Sequence, residues 1–89
     1  MTPGQRKART KAFGLEIIAP VADLPGTRVA QVIGNHLLRS GTAIGSNYRA
    51  ACRARSGADF RSKLPVVEEE ADETLYWLEV LAESRAAMD

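Results

Sequence analysis

The chain has 89 residues, 45% of them apolar, with 12 Lys and Arg against 11 Asp and Glu, one His and one Cys. That length holds one domain, over residues 1–89, with a thin core, and the apolar content argues against intrinsic disorder. No apolar run is long enough to span a bilayer, and the opening Met1-Thr-Pro-Gly-Gln-Arg-Lys offers no secretory signal. The lone Cys52 suits a reducing compartment, so a cytoplasmic location is expected and a disulfide-held fold excluded.

The near-neutral total conceals a split. Residues 1–63 carry 11 bases and 3 acids; residues 64–89 carry one base and eight acids. Such a division fits a half that faces nucleic acid, and fits equally two halves that attract one another.

Three helices are expected, over about 5–24, 27–55 and 57–86. In the first, Phe13, Ile17, Ile18, Val21 and Leu24 recur at three- and four-residue steps, while Pro20 predicts a loosened last turn. The first dozen residues look loosely held. Leu24-Pro25-Gly26-Thr27 ends this segment, and Thr27 supplies a cap for the next.

The second segment sets Val29, Ile33, Leu37, Ile44, Tyr48 and Cys52 on one stripe and Ala30, Gly34, Leu38, Gly41 and Gly45 on its neighbour. Aligned glycines predict close approach of another backbone; the alternative is a helix broken near Ser40–Thr42. Arg55-Ser56-Gly57 is the second break, where Ser56 and Asp59 resemble a capping box with a shortened acid. The third segment spaces Phe60, Leu64, Val67, Ala71, Thr74, Leu78 and Leu81 at the 3.5-residue period of a bundle seam. Leu75, Trp77 and Val80 fall off that seam and are expected at an interface; Pro65 predicts a local bend. The fold class is all-α.

The stretch from Arg9 to Ala82 resembles the bacterial four-helix bundle protein family. The carrying residues run from Leu37 through Gly41-Thr42-Ala43-Ile44-Gly45-Ser46-Asn47 to Tyr48, then Ala51 to Ser56, Asp59-Phe60, and Glu68-Glu69-Glu70 through Trp77-Leu78. That family includes proteins encoded by intervening sequences in large-subunit ribosomal RNA genes and the accessory protein of diversity-generating retroelements. The resemblance implies an up-and-down antiparallel bundle, a homopentamer around a central channel, no enzymatic activity, and association with RNA, DNA or a nucleic-acid enzyme. This sequence departs from the family at Ala50, where Glu is common, at Asn35-His36 and at Pro65. It also stops at Asp89, before the family's fourth helix. The face left open by a missing helix is expected to be covered by self-association.

The candidate sites are few. His36 lacks the converging partners of a metal centre, no cofactor is implied, and the acidic run Glu68–Glu73 reads as a solvated face. A hairpin about Ser56 would set Arg39 near Glu73 and Thr42 near Glu70, the first pair fixing antiparallel register. Ser40, Thr42 and Ser46 can bond back to the preceding turn, and Asn47 is expected to align neighbouring helices. Arg49, Arg53, Arg55, Arg61 and Lys63 gather around the second break and form the candidate phosphate-binding cluster. Of Tyr76 and Trp77, one should lie in the core and the other should reach a neighbouring subunit.

Overall fold

The computed structural model describes residues 1–84. It contains helices α1 (Pro3–Ala22), α2 (Arg28–Ala51) and α3 (Gly57–Ser84); the last two positions of the third expected helix lie outside the described residues. The start of α1 is firmly capped. Thr2 Oγ1 accepts from the Gln5 N–H at 3.1 Å while the Gln5 side chain accepts from the Thr2 N–H at 2.8 Å, and Pro3 occupies the first helical position. This reciprocal pair replaces the loose N-terminus expected above.

Helix α1 runs through Pro20 to its own end, closing with a bond from the Asp23 N–H to the Ala19 carbonyl at 3.1 Å. Thr27 caps α2 through the Ala30 N–H, and α2 continues unbroken across Ser40–Thr42. It ends four residues earlier than expected, because the N–H groups of Arg53 and Ala54 turn to the carbonyls three residues back. Ser56 Oγ accepts from the Asp59 N–H at 3.1 Å to open α3, although the Asp59 carboxylate reaches the N–H of Arg55, not that of Ser56. Helix α3 passes through Pro65 without interruption.

Helix α2 is the middle rod: it packs on both others, while no backbone contact joins α1 to α3. Both packings are antiparallel. Gly45 lies against Thr10 and Lys11, Gly14 against Thr42, and Gly34 against Val21 and Leu24. On the other side, His36, Ser40 and Arg39 meet Trp77, Thr74 and Glu73 respectively. The result is an elongated body of 48 × 19 × 18 Å. Ile17, Ala30, Ile33 and Leu37 form the buried cluster, with Phe13, Val21, Leu24, Trp77, Val80 and Leu81 packed around it.

The α1–α2 seam depends on the absence of side chains. A Cβ on Gly45 would stand 3.2 Å from the Thr10 carbonyl carbon and oxygen, closer than side chains ordinarily approach backbone, while one on Gly14 would just touch the Thr42 Cα at 3.4 Å. Glycine's propensity cost in a helix, about 1 kcal/mol relative to Ala, is offset at Gly45 by this close backbone packing.

The seam of α3 is rotated from the expected one. Ala71 and Leu78 are exposed, as is Val29 on α2; Thr74 is 2% exposed, and Trp77 and Val80 turn inward to the core cluster. Trp77 and Val80 are therefore removed from the expected interface, because the α2 surface beside Ile33 and Leu37 needs their bulk. Leu75 stays outside, 57% exposed. Tyr76 is the outer aromatic of its pair, set edge-on to Trp77 at 5.1 Å.

Candidate nucleic-acid interface

Antiparallel packing brings the start of α1, the end of α2 and the start of α3 to one end of the rod. Helix α1 brings Arg6, Lys7, Arg9 and Lys11 there. The end of α2 and its turn add Arg49, Arg53 and Arg55, and α3 adds Arg61 and Lys63. Nine of the twelve bases thus share one end with a single acid, Asp59. The other described residues, 13–44 and 64–84, hold nine acids and only Arg28 and Arg39 as bases. The molecule is a charged rod with a basic end of net +8 and a remainder of net −7. The four bases of α1 were invisible as part of the cluster in the sequence, since about forty residues separate them from Arg49.

The expected five do not all stand free. Lys63 Nζ donates to both Asp59 oxygens, at 2.8 and 2.7 Å, so its charge is matched within α3. These bonds first, and then the Arg55 N–H, hold the Asp59 carboxyl below the usual carboxylate range. Arg61 lies back along its own helix, its guanidinium beside Gly57. Arg53 and Arg55 are exposed on the turn. Arg49 faces α1. It lines a cleft of about 240 Å³ with Lys7 and Lys11 over an apolar floor of Gly14, Leu15 and Ile18.

The rest of the singled-out side chains build the α2–α3 seam. Arg39 forks onto Glu70, at 3.0 and 3.1 Å, and also contacts Glu73. Arg39 thus pairs with Glu73 as expected and with Glu70 besides, while Thr42, expected near Glu70, turns to α1, its hydroxyl bonded to the Leu38 carbonyl at 2.7 Å. Asn47 does not bridge helices: its amide donates to the Ala43 carbonyl of α2 at 2.9 Å, one turn back, where that acceptor is in easier reach than anything on α3. The buried bridge is instead Thr74 Oγ1 to Ser40 Oγ at 2.9 Å, with Ser40 donating to the His36 carbonyl at 2.8 Å. His36 lies flat on Trp77, ring centroids 4.1 Å apart and planes within 8°. Both features were missed, and the only hint was that Ser40 and His36 sit one turn apart. The Tyr48 hydroxyl is buried without a partner.

Among the described residues, no three His, Cys, Asp or Glu side chains converge as metal ligands, and no helix is long and apolar enough to cross a membrane. What the geometry defines is a small all-helical protein with a basic end and an acidic remainder, in which Glu70 and Glu73 pair with Arg39. Among solved structures, it is similar to a protein of unknown function from the S23 ribosomal protein family of Bacteroides thetaiotaomicron. The two share 40% identity over 88% of this chain and 72% of that one, with a TM-score of 0.80. The chain belongs to the S23 ribosomal protein family. No family model matches it, and no curated protein does.

Proposed function

We propose that this protein is a non-catalytic, self-associating helical-bundle protein that docks its basic end on the phosphates of RNA or DNA in the cytoplasm, alone or beside a nucleic-acid enzyme. The observation that carries the reading is the concentration of nine bases against one acid at a single end. Clustered, exposed guanidinium and ammonium groups attract phosphate without reading sequence, and α1 presents its four within two turns. Kinship with a ribosomal protein family supports the same direction. The finer affinity with ribosomal RNA intervening-sequence and retroelement accessory proteins, a ring of five included, stands on the resemblance.

The test is filter binding of RNA at low salt, wild type against Arg53→Ala/Arg55→Ala. With a single-stranded RNA, loss of two phosphate contacts is expected to flatten the slope of log affinity against log salt by about 1.4, at roughly 0.7 per contact. Equal retention by the double variant would count against the reading. A second reading, a purely structural oligomer whose charges serve its own folding, is favoured by the Arg39–Glu70–Glu73 and Lys63–Asp59 groups, which spend three acids and two bases internally. Salt-independent RNA retention, or none at all, would select it.

A further inference from the structure

The cleft between α1 and α2 has a charged end and an apolar end. On α1, Lys7, Lys11, Gly14 and Ile18 share one stripe that faces the stripe of Gly45 and Arg49 on α2. The helices run antiparallel, with Gly45 against Thr10 and Gly14 against Thr42. Arg49 therefore shares the end of Lys7 and Lys11, while Leu15 and Ile18 lie beyond the glycines. Leu15 is 58% and Ile18 44% exposed, so the apolar end is open to water. No acid lines the cleft, and among the described residues none of its three cations has an ion-pair partner.

An occupant that satisfies both ends carries an anion and an uncharged, apolar body. The other bases of this end, Arg6 and Arg9 on α1 and Arg53 and Arg55 after α2, continue past the cleft, which suits a chain of phosphates better than a single anionic head. At about 240 Å³ the cleft is smaller than the roughly 300–1,000 Å³ of pockets that enclose a drug-sized ligand, so it admits one flat ring system and no more.

We infer that the cleft takes one unpaired nucleotide of an RNA strand, its phosphate among Lys7, Lys11 and Arg49 and its base laid over Gly14 onto Leu15 and Ile18. A duplex keeps its base faces stacked inside and offers the apolar end nothing, so strandedness is read here. The walls choose the sugar. Thr10, Thr42 and Ser46 each spend their proton on a carbonyl of their own helix, at 2.8, 2.7 and 3.3 Å, which leaves hydroxyl oxygens that accept. A ribose 2′-OH donates to such oxygens; deoxyribose has no proton to give.

This inference rests on the phosphate reading above and adds a selection that charge alone cannot make. Fluorescence anisotropy at fixed low salt would compare labelled oligouridylate, its deoxy counterpart, an abasic strand with the same number of phosphates, and an RNA duplex. The wild type is expected to bind oligouridylate on the order of tenfold tighter than the abasic strand, a comparison that needs no variant, and to bind the deoxy strand more weakly. Leu15→Gln/Ile18→Gln changes exposed side chains without altering charge. It should keep the helical circular dichroism, the salt slope and the affinity for duplex, and lose the preference for bases over abasic sites. Equal wild-type affinity for oligouridylate and the abasic strand, a preference that survives in the Gln variant, or tighter binding of the deoxy strand would overturn the inference; salt-dependent retention in the same titrations would leave the phosphate reading standing. Absence of retention at every salt would remove both.

Discussion

The two faces of α2 hold their neighbours by different means. Toward α1 the contact is built from removed side chains: Gly14, Gly41 and Gly45 let the rods close until Ile17 and the backbone at Thr10 fill the space a Cβ would need. Toward α3 it is built from added ones, the Ser40–Thr74 bond, the Arg39 fork and the His36–Trp77 stack. The first seam is specified by shape, which tolerates no extra atom. The second is specified by pairing, in which each member lost leaves others to hold register.

The strongest way to break that contrast is Gly45→Val. Its Cβ would meet backbone atoms at 3.2 and 3.3 Å, which cannot rotate aside, so a loss of about 2–3 kcal/mol is expected in urea unfolding, with α1 loosened first in hydrogen exchange. Gly34→Ala is a control: its Cβ would meet only the ends of the Leu24 and Val21 side chains, which can shift, and helix propensity returns part of the cost. Equal damage from both would refute a backbone-limited seam.

On the opposite face, Thr74→Val removes the buried donor to Ser40 and should cost about 1 kcal/mol. Combined with Ser40→Ala, the total should fall short of the two single losses added together, because either change already breaks the bond. Arg39→Ala comes next. Its side chain is 54% exposed, so about 0.2–1 kcal/mol is expected, shrinking as salt is added.

The smallest effect concerns the cap of α3. The carboxyl of Asp59 is held below its ordinary range in the folded chain, so the unfolded chain binds more protons in between. The stability it contributes is present above the ordinary carboxylate value and is lost as pH falls through the lowered one. Asp59→Asn should remove that part of the acid dependence in thermal melts at different pH, and an unchanged profile would disprove the assignment.

Much of the architecture was legible from local signals. Thr27 and Ser56 announced helix starts, and the glycine stripe of α2 announced a close neighbour, because caps and small residues act within a turn of where they are written. The facing side of α3 was not legible. Leu64, Val67, Ala71, Leu75, Trp77, Leu78 and Val80 are apolar round much of the helix, so a 3.5-residue period could be drawn along more than one line. The structure turns Thr74 and Trp77 to α2 and leaves Leu75 and Leu78 out, since Ser40 and His36 offer partners only to the former. Likewise, the bases around Arg53 were visible as a run, but their reinforcement by Arg6, Lys7, Arg9 and Lys11 was not.

By itself the sequence determined three rods, two breaks and an uneven charge, since backbone hydrogen bonds and caps are settled among residues a few positions apart. Only tertiary structure decided which flank of α3 is dry and that bases from three helices meet at one end. Those outcomes depend on distances between residues thirty or more positions apart, which are set when whole surfaces choose one another.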